Sequence, residues 1–239
     1  MKNLIIIIPT FNEEKNILKL TNSIHKFIPS CKILIIDDTK NSQIHKVYKN
    51  KGRINFIIRK NKKGRGSAVL FGLKNALRVK NNKIFIEMDA DFSHKPGELN
   101  RNINFFLKNN CDLLIASRYL PKSKIHNWGV QRRIFSKLAN LLAKIFLQIE
   151  ITDYTNGFRI YSKKAVKTIV SDCGNIGDGF IVLSEILLKI HQSKLKIMEI
   201  HSTFKNRERG ESTVNLYLIL QSFFGLIKLF LIKMIKKWD

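Results

Sequence analysis

The sequence predicts an α/β fold, with a mostly parallel sheet covered by helices on both faces. Three observations carry that prediction. Short β-branched or Leu-rich runs, which read as buried strands, recur through the first half of the chain. Helical patterns separate them, and strands alternating with helices form parallel sheets. Polar loops follow three of the runs, at the strand ends where ligands bind in such sheets.

The predicted strands are residues 4–8, 32–36, 54–58, 84–88 and 113–116. Predicted helices lie near 14–27, 67–80 and 97–109. The three loops are Pro9 to Glu13, Asp37 to Thr39 and Asp89 to His94. The second half differs. Residues 134–149 have helical periodicity, with Leu138, Leu141, Leu142, Ile145 and Phe146 on one side. A loop spans 153–161, a helix lies near 182–191 and a strand near 196–201, and the basic segment 204–213 follows. No repeat or low-complexity linker divides the chain. The expected organisation is one catalytic domain over 1–213 and an appended helix over 214–239.

That last segment is very apolar but is interrupted by Gln221, Lys228 and Lys233. A spanning helix wants roughly 20 apolar residues with few charges. At about 100° per residue, Gln221, Gly225, Lys228 and Lys236 share one side, and Leu218, Ile219, Phe223, Leu226, Phe230 and Met234 take much of the rest. The pattern suits an amphipathic helix lying on a membrane surface, with Trp238 as an anchor. Packing against the domain or a partner chain is the alternative.

Composition bounds the function. The 239 residues are 44% hydrophobic and 26% charged, ordinary for a globular protein. The formal net charge of +25 is not ordinary, and it implies an anionic partner: nucleic acid, an anionic membrane or a phosphorylated substrate. Lys and Arg are scattered rather than gathered in one stripe, and no RNA-recognition or helix-turn-helix pattern appears. A basic nucleic-acid-binding protein is thus the rival from another class, and it leaves the acidic strand-end loops unexplained. Cys31, Cys111 and Cys173 are odd in number and form no CxxC pair, which argues for a reducing compartment. The run at 4–8 is too short for a secretory signal and is closed by Pro9.

The chemistry starts at Met88-Asp89-Ala90-Asp91-Phe92-Ser93-His94. Two carboxylates two residues apart, just after a strand, can converge on one hard cation. Mg²⁺ or Mn²⁺ there would neutralise a departing diphosphate. Asp-x-Asp by itself is common in surface turns, so its place after an apolar strand gives it weight. Pro9-Thr10-Phe11-Asn12-Glu13-Glu14 and Ile36-Asp37-Asp38-Thr39 also follow strands, and each alone reads equally well as a helix start with a cap.

The order of these segments is informative. Strand–PTFNEE, strand–DDT, Lys63-Gly64-Arg65-Gly66-Ser67-Ala68 and strand–DAD follow one another. Later come Ala116-Ser117-Arg118-Tyr119, and Trp128 with Arg132, Ser136, Ala139 and Asn140. Asp153, Thr155, Gly157, Phe158, Arg159 and Tyr161 form a further segment, and Phe204, Arg207, Gly210, Glu211 and Ser212 the last. This series resembles family 2 glycosyltransferases with the A-type nucleotide-sugar-binding fold. Within them it is most similar to the polyprenyl-phosphate branch typified by dolichyl-phosphate mannose synthase.

The resemblance implies roles. Pro9, Phe11, Glu13, Asp37 and Asp38 would cradle the nucleoside, with Lys63 and Gly64 near the base or diphosphate and Asp89 and Ala90 beside the nucleotide-sugar. Asp89 and Asp91 would hold Mg²⁺ or Mn²⁺, with Ser93 a weaker third ligand where the family often has Gln. Arg118, Arg132 and Arg207, with Ser212, would bind the lipid phosphate, because guanidinium groups are planar, multi-donor and always charged. Asp91 and these three arginines are the expected catalytic set. Thr213 stands where the family usually has Lys, which removes one cation. His94 is not needed as a base, since a phosphate nucleophile is already ionised. The implied reaction is inverting transfer of a sugar to dolichyl or another polyprenyl phosphate at the cytoplasmic face of a membrane. GDP-mannose is the leading donor, and a UDP-sugar carrying glucose or an N-acetylhexosamine the alternative. Nucleic acid is not expected as a partner. The tail, the positive charge or a small membrane-anchoring subunit would bring the chain to its lipid.

Overall fold

The computed structural model describes residues 3–48, 52–60, 64–206 and 216–235. The expected site residues Lys63, Arg207 and Ser212, and the tail's Lys236 and Trp238, lie outside them.

The first strand, β1 (Leu4–Thr10), leads to α1 (Glu14–Phe27), β2 (Lys32–Asp37), the short α2 (Ile44–Val47) and β3 (Ile54–Ile58). Next come α3 (Arg65–Leu77), β4 (Ile84–Glu87), a 3₁₀ turn at Pro96–Glu98 and α4 (Leu99–Lys108). The chain continues through β5 (Leu113–Ser117), β6 (Lys124–His126), α5 (Val130–Leu147), β7 (Arg159–Ser162) and α6 (Lys163–Asp172). It ends with α7 (Ile181–Gln192), β8 (Ile197–His201), β9 (Thr203–Lys205) and α8 (Leu216–Ile235). Seven strands form one sheet in the order β3-β2-β1-β4-β7-β5-β8, and β6 pairs with β9 beside it.

The sheet is parallel except for β7, which runs antiparallel between β4 and β5. The expected mostly parallel α/β sheet is therefore present. Strand side chains alternate between faces, and β1 shows it cleanly. Ile5 and Ile7 join one core with Leu34, Val69 and Leu73, whereas Leu4, Ile6 and Ile8 join the other with Ile17, Leu20 and Ile103. An uninterrupted isoleucine run is what burial on both faces demands. The chain reverses strand order beside β1, with β2 on one flank and β4 on the other. The loops after β1, β2 and β4 thus leave the same edge of the sheet, at the switch point where open α/β sheets form their ligand crevice.

Three elements, among those that the sequence pattern left open or read differently, bear on the site. β7 lies inside the segment 153–161 that reads as a loop. It is short and starts with an arginine, which the strand pattern disfavours. Arg159 is nonetheless fully buried, because its guanidinium donates to the carbonyls of Asn156, Leu183 and Tyr154. α5 turns its large apolar residues outward. Leu138, Leu141 and Ile145 are exposed, while Asn140, Ala143 and Leu147 face the core. α8 packs against α5 and α7, burying Leu226 and Leu229. Gly225, which the periodicity placed on the polar side, is the seam itself: a Cβ there would lie 2.5 Å from Cγ1 of Ile181. Lys233 caps this contact by donating to the Leu147 carbonyl and to Gln148 Oε1, each at 2.8 Å. None of the described helices is long and apolar enough to cross a membrane.

The approach of α3 to the sheet is also fixed by a glycine. A Cβ on Gly72 would fall 2.5 Å from Cγ2 of Ile7 and 3.1 Å from Cγ1 of Ile36. Both are packed core atoms that cannot swing away. Gly72→Val is expected to cost about 1–3 kcal/mol by overpacking, read as a lower urea midpoint.

Candidate active site

The loops after β1 and β2 are locked together by Asp37. Its carboxylate accepts Thr10 Oγ1 at 3.0 Å, Thr39 N at 3.1 Å, Thr39 Oγ1 at 2.6 Å, and the Ser42 hydroxyl. Thr39 Oγ1 in turn accepts the Asn12 amide at 2.8 Å. Asp37 is buried and saturated, so it shapes this loop pair from within. Asp38 is taken by Arg59, which donates from Nε to Oδ1 at 2.6 Å and from Nη2 to Oδ2 at 2.5 Å. The third donor of Arg59 reaches Ser67 Oγ at 2.9 Å. Phe11 and Glu13 lie half-buried on the same rim, beyond the buried Pro9. Glu13 accepts from Asn16 Nδ2 at 2.6 Å.

Gly64 and Gly66 open α3, and their lack of a Cβ serves packing. Gly64 has φ of 112°, and a Cβ there would sit 2.7 Å from the Asp178 carbonyl oxygen. A Cβ on Gly66 would overlap the Gly179 carbonyl and Val182. The turn therefore presses on the backbone just ahead of α7. Between the two glycines, Arg65 points to the end of β4. It donates from Nη1 to Glu87 Oε1 at 2.7 Å and from Nε to Asp89 Oδ1 at 2.8 Å. Burial opposes the charge on Arg65, and the carboxylates of Asp89 and Glu87 outweigh it, so its pKa rises. Glu87 is wholly buried and also accepts from the Tyr161 hydroxyl at 2.7 Å. Burial, then the Glu87 charge, pushes the Tyr161 phenol well above its ordinary value, so it remains a donor. Gly157 leaves the room that the Arg65 guanidinium fills, for a Cβ at 157 would overlap it.

Downstream, Asp89 is partly exposed, Ala90 is buried, and Asp91 is half-buried. Phe92 takes φ of 62°, a left-handed conformation that costs a bulky residue on the order of 1–3 kcal/mol. That kink lets Asp91 Oδ1 accept the Ser93 amide at 3.0 Å. His94 is a buried brace. Its Nδ1 accepts the Asp89 amide at 3.1 Å, so the proton sits on Nε2, which faces Asn156 Oδ1 at 3.0 Å. Its ring stacks on Phe158 at 5.2 Å and meets Phe204 edge-on at 5.7 Å.

Phe204 continues to Trp128, 5.1 Å away, and Trp128 carries both described arginines of the expected acceptor site. Arg118 lies 5.3 Å and Arg132 4.8 Å from its ring centroid. An aromatic chain of His94, Phe204 and Trp128 therefore joins the acidic loop to the guanidinium groups. Arg118 is held by the buried Asp153, with Nε to Oδ2 and Nη2 to Oδ1 both 2.7 Å. Arg118 Nη2 also reaches Thr155 Oγ1 at 2.6 Å. Asp153 accepts the backbone amides of Arg118, Thr155 and Asn156 as well. Burial acts to raise the Asp153 pKa, but Arg118 and these donors outweigh it and hold the carboxylate below its ordinary value. Arg132 donates from Nη1 to Asn206 Oδ1 at 2.6 Å.

The sequence pattern of Glycosyl transferase family 2 matches residues 5–170. The chain belongs to that family. The transferase is 30% identical over 217 residues to the polyprenol monophosphomannose synthase of Mycolicibacterium smegmatis, covering 88% of this chain and 80% of that one. It is 33% identical over 214 residues to the dolichol-phosphate mannosyltransferase of Pyrococcus furiosus, covering 87% of this chain and 58% of that longer protein. Its fold matches the crystal structure of glucosyl-3-phosphoglycerate synthase from Mycobacterium tuberculosis in complex with Mn²⁺, uridine diphosphate and phosphoglyceric acid. The TM-score is 0.65 at 15% identity, covering 96% of this chain and 78% of that one.

The donor set of the transferase suits a hard divalent cation. Among the described residues, no three His, Cys, Asp or Glu side chains gather about one point. Mg²⁺ characteristically takes one or two carboxylates and completes its shell with water and substrate phosphates. Asp89 and Asp91 are two carboxylates, two residues apart at the end of β4, that could serve such a cation. Among the described residues, the buried Ser93 hydroxyl finds no hydrogen-bond partner, an oxygen left for a ligand or bound water to satisfy.

Sequence reasoning on this transferase passed over Arg59, Arg65 and Glu87. The signal was available only for Arg65, inside the glycine turn. Asp153 stood in a matched segment without a role, and its role is to hold Arg118.

Two predictions follow from these charges. Arg65→Met strands Glu87 as a buried charge and is expected to cost about 3–5 kcal/mol in urea unfolding, with partial recovery in Arg65→Met/Glu87→Gln. Asp153 titrates lower folded than unfolded, so the unfolded chain binds the proton first. Its contribution to stability is complete above its ordinary pKa of 3.8 and is lost as pH falls through the depressed folded value. Asp153→Asn should be less stable than the parent at neutral pH, and the gap should close on acidification below that value.

Proposed function

We propose that this protein transfers mannose from GDP-mannose to a polyprenyl phosphate, inverting the anomeric carbon. The observation that carries the reading is the aromatic bridge from Asp89 and Asp91 to Arg118 and Arg132. It supports two anion subsites side by side, one for a diphosphate and one for a phosphate monoester. The names of the two relatives, each a mannosyl transferase to a polyprenol or dolichol phosphate, supply the sugar and the lipid class.

Phe11, Glu13 and the Asp37–Asp38 loop form the nucleoside rim. The acceptor phosphate oxygen attacks C1 of the sugar, and the bond from C1 to the diphosphate oxygen breaks with its electron pair leaving on the nucleotide. A divalent cation, Mg²⁺ or Mn²⁺, held by Asp89 and Asp91 with Ser93 nearby, supplies charge neutralisation for the leaving group when bound. The acceptor is already ionised, so no general base is required. His94, with both ring nitrogens engaged, keeps the acidic loop in place instead. Arg118 is largely neutralised by Asp153, so it fixes the direction of the acceptor phosphate, and Arg132 draws it in. In this reading residues 1–213 carry catalysis and residues 214–239 help to hold the protein at the cytoplasmic face of a membrane. A small anchoring subunit is compatible with it.

The test is a donor panel. Purified protein with Mg²⁺ or Mn²⁺ and a short-chain polyprenyl phosphate is incubated with GDP-mannose, UDP-glucose or UDP-N-acetylglucosamine. The expected product is β-linked mannosyl phosphoprenol, from GDP-mannose alone. Asp91→Ala should lower the rate by about 100-fold or more while leaving the fold intact. Absence of transfer from every donor would sink the reading, and transfer from a UDP-sugar would replace the donor.

A further inference from the structure

We propose that the groove between β3, α3 and the end of α6 binds a long-chain carboxylate, and that its occupancy weakens nucleotide binding at the neighbouring rim. The site stands on its own residues, and only its link to the nucleotide rests on the function proposed above. α3 carries two faces that meet apolar surroundings. Ala68, Val69, Leu73 and Ala76 are buried in the core against the sheet. Ser67, Leu70, Phe71 and Lys74 follow the helical spacing of a second face, and all four line the groove. Ile57 of β3 and Ile169 and Val170 of α6 complete its floor, and its volume is about 560 Å³. Small-molecule sites span roughly 300–1,000 Å³. Ile58 and Phe71 stand 40% and 37% exposed at its lip, which is apolar surface left open to a ligand.

Charge decides the occupant. Arg59, Lys60 and Lys74 line the same groove, and among the described residues no acid does. Lys60 and Lys74 are exposed, and neither forms an ion pair among the described residues. A wholly apolar ligand would cover the floor and strip water from the cations without answering them. A small free anion would answer the cations and leave the apolar floor wet. A ligand with one anionic head and one apolar chain does both. Its chain lies over Ile57, Leu70 and Val170, and its head meets the two lysines through charge-assisted hydrogen bonds. A second copy of this chain, with a net charge of +25, would set like charges against them.

Arg59 belongs to the groove and to the nucleoside rim at once. Its guanidinium donates to both carboxylate oxygens of Asp38 and to Ser67 Oγ at 2.9 Å. It also lies 5.9 Å from the ring centroid of Phe71 at the lip. A carboxylate that settles beside Lys60 attracts the adjacent guanidinium and competes with Asp38 for it. Asp38 then loses the two-point contact that fixes its direction on the rim, and nucleotide binding weakens. Linkage makes the effect reciprocal, so a nucleotide held at the rim disfavours the amphiphile by the same factor.

The experiment titrates the full chain with dodecanoate, below its micellar concentration, in a calorimeter, with and without GDP and Mn²⁺. Saturable binding is expected, and Lys60→Glu/Lys74→Glu should weaken it about tenfold or more. Both lysines are exposed, so this variant keeps the parent's fold, and Val170→Trp tests the apolar floor by filling it. Dodecanol and acetate each carry half of the ligand's chemistry and should bind at least about tenfold more weakly. Saturating dodecanoate should lower GDP affinity about fivefold, at the modest end of coupled sites, and the lysine pair should remove that effect. Dodecanoate that does not bind overturns the site. Equal binding to parent and folded variants also overturns it, and includes the case of a carboxylate caught by Arg118 and Arg132. GDP affinity unchanged by a filled groove overturns the control of the rim. Parent protein that binds dodecanoate through the two lysines but binds no nucleotide leaves the groove standing and removes the donor reading.

Discussion

A carboxylate buried at the end of a central strand is the constraint on which this site depends. Glu87 has no access to water, and an ionised carboxylate in that position must be paired. Arg65 is the partner, and its demands propagate. The guanidinium needs the space left by Gly157, and it enters from a turn that two glycines press against the segment before α7. Its remaining reach fixes Asp89. A single ion-pair junction thereby sets the start of α3, the course of the 153–158 loop and the orientation of one candidate metal ligand.

The second buried pair, Arg118 with Asp153, follows the same logic on the acceptor side. Both junctions neutralise charge that the fold could not otherwise hold. Glu87 and Asp153 are structural anions, Arg65 and Arg118 their counterions, and Asp91 and Arg132 stand outside these two pairs. Between them runs the aromatic chain of His94, Phe204 and Trp128, which has no charge to compete for either phosphate. In the proposed function, this arrangement would hold a diphosphate and a phosphate monoester at its two ends.

Much of the architecture was legible in the sequence. The helix expected over 14–27 is α1, and the five expected strands are β1 to β5, with ends shifted by a residue or two. These segments were legible because burial on both faces leaves no choice but a continuous apolar run. β7 was not legible, because its leading Arg159 is satisfied only by three carbonyls that tertiary structure supplies. The orientation of α5 was not legible either, since periodicity reports that a helix has an apolar side and not what that side meets. Within the site, the acidic and basic residues were identifiable by type and order. Their partners were not: Asp38 and Arg59 are 21 positions apart, and Arg118 and Asp153 are 35 apart. A sequence shows which charges exist, and the fold decides which of them cancel.

In the proposed reaction, two phosphates bind on either side of the His94–Phe204–Trp128 chain. Crystals grown with GDP, Mn²⁺ and a short-chain phosphoprenol test it directly. An anomalous Mn²⁺ peak is expected beside Asp89 and Asp91, with the acceptor phosphate within hydrogen-bond reach, about 2.7–3.2 Å, of Arg132 and Arg118. An acceptor phosphate bound away from both arginines, or Mn²⁺ bound away from both aspartates, would contradict it.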